Sequence, residues 1–163
     1  MENDFIKELG FLGFATRLKR LGDFFMQEGR RLYQGLDIDI EPNWYLIFKI
    51  LDKHKKLSIT EIANRLQLSH PSIITITLKM ERAGYIQSVK SSTDNRKRVL
   101  SLSQKAIDKM PEYEKIWQAG TKGMEEALAG LDALAFMDLF EERFKAKHFE
   151  ERTLEQLKLK TAV

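Results

Sequence analysis

Two helix-start signals lie eleven residues apart, and what separates them is room for one short helix and a tight turn. Ser58 followed by Glu61 is a capping box. The serine side chain takes a backbone N–H of the first turn, and the glutamate reaches back to the serine N–H. Ser69 is a second N-cap, with Pro71 in the first turn, where a missing N–H costs little. Behind the first signal, Ile62, Ala63 and Leu66 share one face. Behind the second, Ile73, Ile76, Thr77 and Met80 recur at helical spacing, and Gly84 marks the end. Gln67 and Leu68 make the turn. Two helices joined this way read as a helix-turn-helix, whose second helix is free to enter a DNA major groove.

A hairpin follows at once. Residues 85–90 alternate enough to form a strand, residues 91–95 have turn chemistry, and residues 98–102 make a return strand. Arg96, Lys97 and Arg98 cluster at its tip, with Lys90 nearby. A basic loop beside a recognition helix suits contact with phosphates or insertion into a minor groove.

These residues resemble the winged helix-turn-helix of the MarR family of bacterial transcriptional regulators. The resemblance rests on Leu57-Ser58, Glu61-Ile62-Ala63, Leu66, Leu68-Ser69, Glu81 with Gly84, and then Asp94, Arg96 and Leu102-Ser103. The family's wing pattern ends Leu-Thr; here serine replaces the threonine. The resemblance covers the central third closely and the remainder by architecture. It implies a mainly α fold, with three helices and a β-hairpin wing between long N- and C-terminal dimerisation helices. It also implies a homodimer that binds double-stranded DNA at an inverted repeat, with Arg96 in the minor groove braced by Asp94. Members often bind a small-molecule effector as well.

The charge pattern agrees. The net charge is only +3, but residues 1–105 hold 18 basic and 12 acidic side chains against 9 and 12 in residues 106–163. The basic excess sits in the part that carries the helix-turn-helix, which favours a polyanion partner there. There is no cysteine, so disulfides and thiolate metal sites are excluded. The histidines at 54, 70 and 148 have no ligand spacing, and no P-loop, dinucleotide fingerprint or nucleophile elbow occurs. No cofactor and no catalysis are expected. No apolar run is long enough to span a membrane, and no signal peptide is expected at the acidic start, so the expected location is the cytoplasm.

Taken in order, residues 1–41 read as a dimerisation helix over 4–34 and a connector. Residues 42–103 form the DNA-binding lobe, and residues 104–163 the C-terminal dimerisation helices. Gly10, Gly13, Gly22 and Gly29 are costly inside a helix, by up to about 1 kcal/mol each, so close packing, bending or simple tolerance is expected. Pro42 starts a second helix that is apolar nearly all round and so is expected to be buried. Ser103 caps the next helix, and Pro111 marks a kink or a break in it. Asp132 caps a final long helix from Leu134 to Leu157. The terminal helices carry more apolar residues than a lone winged helix can cover.

With Ile73, Ile76, Thr77 and Met80 facing the core, the other face of the second helix holds Ser69, His70, Pro71, Ser72, Ile74, Thr75, Leu78 and Lys79. The family usually has more polar residues here, often an arginine near Thr75. Apolar groups can meet thymine methyls, and His70, Ser72 and Thr75 can hydrogen-bond base edges. A one-residue slip would instead bury Ile74 and Leu78. Lys90, Lys97 and Arg98 are candidates for phosphates beside Arg96. Phe24, Trp44, Tyr45 and Phe48 could line an effector pocket, although plain core packing is the preferred explanation, since an aromatic stripe at helical spacing needs no ligand. The alternative function is a winged helix that docks a protein and binds no specific DNA.

Overall fold

The computed structural model describes residues 4–90 and 98–161, with side chains described over 4–89 and 99–158. The chain divides into two compact units, residues 1–111 and 112–163.

The first unit opens with a short helix α1 (Phe5–Glu8), a 3-10 turn (Gly10–Gly13) and helix α2 (Phe14–Gly35). The single helix expected over 4–34 is therefore broken. Gly10 takes a φ of +55°, a left-handed conformation that ends a helical run. Arg20 of α2 grips the Asp4 carboxylate at 2.7 and 3.1 Å, fastening α1 back onto α2. Gly29 is present for close approach. A Cβ there would lie 2.9 Å from the Pro42 ring.

Glu41 is extended, as a residue before proline prefers, and Pro42 opens a 3-10 turn (Pro42–Trp44) that runs into α3 (Tyr45–His54). This helix is buried on one face only. Ile47, Phe48 and Leu51 are in the core, whereas Tyr45 is exposed. Lys55 then takes a positive φ and ends the helix.

Helix α4 (Ile59–Leu66) starts at the Ser58–Glu61 capping box, with both of its reciprocal hydrogen bonds formed. Gln67 is left-handed and closes it. Helix α5 (His70–Arg82) is capped by Ser69 and ends just before Gly84. Strands β1 (Ile86–Lys90) and β2 (Arg98–Leu102) pair antiparallel, with Ile86 opposite Leu102 and Lys90 opposite Arg98. Leu57 exchanges two backbone hydrogen bonds with Leu100, at 2.7 and 3.1 Å, and so adds a one-residue third strand. That bridge fixes the start of α4 against the wing. The core of this unit is the apolar set Trp44, Ile47, Phe48, Leu51, Leu57, Ile62, Ile73, Ile76, Met80, Tyr85, Ile86, Leu100 and Ala106, all buried.

Helix α6 (Gln104–Ala127) is capped by Ser103, whose hydroxyl accepts from the Ala106 N–H at 3.2 Å and donates to the Gly84 carbonyl at 2.6 Å. The helix continues through Pro111 without a break, although the boundary between the two units falls directly after that proline.

The second unit holds the remainder of α6, then α7 (Ala133–Ala146) and α8 (Phe149–Thr161). The long helix expected over 134–157 is thus two helices. Lys147 is extended, the His148 N–H donates to the Glu151 carboxylate, and Arg152 donates to the carbonyls of Arg143 and Lys147. Orphaned groups at both helix ends are satisfied by these three bonds, so the break is stable. Asp132 stands at the N-cap position but its side chain makes no capping bond.

Candidate nucleic-acid interface

Burial fixes the rotation of α5 about its axis. Ile73, Ile76, Thr77 and Met80 are buried, and the Thr77 hydroxyl donates to the Ile73 carbonyl at 2.8 Å, so its polar atom is satisfied inside the core. The opposite face holds Ser69, His70, Pro71, Ser72, Thr75, Leu78 and Lys79, all exposed, with Ile74 half-buried at its edge. The one-residue slip that would bury Leu78 does not occur, since Leu78 is 45% exposed.

Local hydrogen bonds organise the start of this face. The Ser69 and Ser72 hydroxyls lie 2.7 Å apart, and Ser69 Oγ also accepts from the Ser72 N–H at 3.4 Å. The Thr75 hydroxyl donates to the Pro71 carbonyl at 2.9 Å, one turn behind it. His70 Nε2 lies 3.5 Å from Thr60 Oγ1 on α4, joining the first turns of the two helices.

Beside this face the wing rises from β1 and β2. The backbones of Lys90 and Arg98 form the last described pair of the hairpin. Their side chains, together with Asp94, Arg96 and Lys97, lie outside the described residues.

Tyr85 joins the recognition helix to its surroundings, a role the sequence did not single out. It is fully buried at the exit of α5, with Trp44 and Phe48 edge-on to its ring at 5.8 and 5.5 Å. Its hydroxyl donates a short hydrogen bond to Asp39, and Lys105 Nζ sits 3.9 Å from its ring centre. Lys105 also donates to Asp39 and to the Ala83 carbonyl, each at 3.0 Å. Burial pushes the Asp39 carboxyl upward, but the hydrogen bonds from Tyr85 and Lys105 outweigh it and hold the group below its ordinary value. The connector before α3, the end of α5 and the start of α6 therefore meet at one charged, hydrogen-bonded point. The aromatic residue after Gly84 and the acid at 39 were the available signals, but they lie 46 positions apart and nothing local links them.

The four aromatic candidates for an effector pocket are not brought together. Trp44 and Phe48 pack in the core against Tyr85, whereas Phe24 and Tyr45 are exposed. Of the four, Trp44 alone lines the open cleft of about 570 Å³ that Arg30, Tyr33 and Asp39 share with Lys79 and Arg82 at the end of α5. Among the described residues no group of three His, Cys, Asp or Glu side chains could hold a metal ion, and no helix is long and apolar enough to cross a membrane.

Three helices, a tight turn and a hairpin braced by Leu57 define a winged helix-turn-helix. Residues 40–97 match the model of the MarR family. Solved structures agree with the fold across most of the chain. An organohalide-sensing transcriptional regulator, RdhR, in its 2,4-dichlorophenol-bound form is 18% identical, with a TM-score of 0.71 over 90% of this chain and 86% of that one. MepR of S. aureus in complex with DNA is 13% identical, with a TM-score of 0.66 over 82% and 96%. The PcaV regulator from Streptomyces coelicolor, with its natural ligand, is 18% identical, with a TM-score of 0.62 over 81% and 94%. No curated protein matches the chain by sequence.

Proposed function

We propose that this protein is a sequence-specific transcriptional regulator that binds double-stranded DNA as a homodimer and catalyses no reaction. The observation that carries this reading is the exposed face of α5, Ser69 to Lys79, lying beside a wing whose connecting segment contains Arg96 and Lys97. Residues Ser69, His70, Pro71, Ser72, Ile74 and Thr75 are assigned to the major groove. Lys79, Lys90, Lys97 and Arg98 are assigned to phosphates, and Arg96, braced by Asp94, to the minor groove. The dimer is supported by the apolar side chains that α1, α2, α7 and α8 leave exposed. Two-fold symmetry then sets two copies of α5 about one helical turn of DNA apart, on an inverted repeat. An effector is supported by the ligand-bound regulators of the same fold and by the cleft at Trp44, which reaches both α2 and the end of α5.

Selection of bound sequences from random duplex DNA tests this reading, and an enriched inverted repeat is the expected outcome. If roughly 6–10 phosphates are contacted, affinity for the repeat falls by about 10³ or more between 50 and 200 mM salt. Arg96→Ala weakens operator and scrambled duplex alike and lowers the salt slope by about one per wing. The exposed Leu78 favours one alternative, in which α5 docks a protein partner. Absence of enrichment together with a flat salt response would select that alternative.

A further inference from the structure

We propose that α5 selects thymine by its C5 methyl group, through a strip formed by Pro71, Ile74, the Thr75 methyl and Leu78, so that A·T pairs lie beneath the helix in each half-site. This rests on the DNA-binding reading and specifies what that site recognises. Four observations carry it.

The first is what the face lacks. From His70 to Thr77 there is no arginine or lysine. Guanine offers two acceptors to the major groove and is matched best by the paired donors of arginine or by lysine. Lys79 and Arg82 stand in the last turn of α5, whereas helix N-terminal residues are those that reach base edges in this kind of docking.

The second is how the hydroxyl protons are used. Thr75 donates its proton to the Pro71 carbonyl, and one proton of the Ser69–Ser72 pair is held in the link between the two hydroxyls. Thr75 retains lone pairs, which suit an amino group, and a methyl. It has no donor left for guanine.

The third is geometry. Pro71, Ile74, Thr75 and Leu78 follow the three- and four-residue spacing of one helical stripe, and it lies on the side turned away from buried Ile73, Ile76 and Met80, with Ile74 half-buried at its edge. A stripe of carbon atoms along a groove-facing helix is matched by the thymine methyl, the one apolar group on a base edge in the major groove.

The fourth is the absence of a structural need. Leu78 is 45% exposed, and its side chain is not required to fill the core that Met80 and Ile76 complete.

The test begins with the duplex enriched by selection, resynthesised with deoxyuridine in place of thymidine in the half-sites, which removes only the methyl groups. Wild-type affinity should fall about fourfold for each contacted methyl removed. Thr75→Val keeps the methyl and loses the hydroxyl, and it should prefer the thymine duplex over the uracil duplex by the same factor as the wild type. Thr75→Ser keeps the hydroxyl and loses the methyl. It should bind the thymine duplex more weakly and discriminate less between the thymine and uracil duplexes. All three residues are small and the position is exposed, so folding is unaffected. Equal binding of thymine and uracil duplexes by the wild type would overturn this inference while leaving specific DNA binding intact. So would loss of the thymine preference in Thr75→Val with its retention in Thr75→Ser. Failure to bind any duplex would remove the DNA-binding reading and this inference together.

Discussion

The winged-helix lobe and the helices at either end of the chain treat their apolar residues in opposite ways. In the lobe, Ile47, Phe48, Ile62, Ile73, Met80 and Tyr85 are essentially sealed from solvent. At the ends, Phe11 is 96% exposed and Leu134 is 80% exposed, and α7 buries no residue at all. Phe136, Phe140 and Phe144 line up along α7, with successive ring centres 6.1 and 4.8 Å apart, yet Phe136 and Phe144 remain open to water. The lobe satisfies its own hydrophobic requirement within one chain. The terminal helices do not, and exposed apolar area on that scale marks an interaction surface.

Charging the terminal surface should have the largest effect. Leu134→Glu with Phe136→Glu should convert the proposed dimer to a monomer in sedimentation. The loss of bivalency should cost roughly 10²–10⁴-fold in affinity for an inverted repeat. A wild-type protein that sediments as a monomer at micromolar concentration would refute the account of the ends, and the symmetric operator with it.

The lobe should respond differently. Phe48→Ala leaves a cavity under Trp44 and Tyr85 and should cost about 3–5 kcal/mol in denaturant unfolding, independent of protein concentration. A concentration-dependent loss would mean that the lobe, too, relies on a partner.

A smaller effect comes from the local signals. Ser58→Ala removes the capping box of α4 and should cost about 0.5–2 kcal/mol by the same measurement, with Ser58→Gly closer to neutral.

The smallest effect is electrostatic. Asp4 is lowered to about 2, mainly by the hydrogen bond from Arg20, and Asp39 is held below its ordinary value despite partial desolvation. A depressed carboxyl contributes stability that is fully present above its unfolded value, near 4, and that is lost as pH falls through the folded value. Acid titration should therefore remove the Asp4 contribution between about pH 4 and 2, and the Asp39 contribution as pH falls below its unfolded value. Asp39→Asn should abolish its share while costing less than about 1 kcal/mol at pH 7, because the group is largely exposed. A stability that rises on acidification over this window would contradict both assignments.

Much of the lobe was legible beforehand because its instructions are local. Ser58 with Glu61, Ser69 with Pro71, and the spacing of Ile73, Ile76, Thr77 and Met80 each act within one or two helical turns, and each element formed where they place it. The ends were harder for the same reason inverted. Apolar periodicity continues across Gly10 and across Lys147-His148, so it cannot reveal a break. The left-handed Gly10 and the bonds of His148 and Arg152 across the second break are small features that interrupt the chain without disturbing the pattern.

Sequence alone determined the two capped helices, the turn between them, the hairpin after Gly84 and the face of α5 turned away from the core, because each follows from signals carried by neighbouring stretches of the chain. Tertiary structure alone decided that Leu57 would join the wing, that Gly29 would seat against Pro42, and that Tyr85, Asp39 and Lys105 would meet at the exit of the recognition helix. It also separated the aromatic residues, placing Trp44 and Phe48 inside and Phe24 and Tyr45 outside. Those outcomes depend on contacts between residues far apart in sequence, where periodicity states which residues are apolar but not which of them will meet.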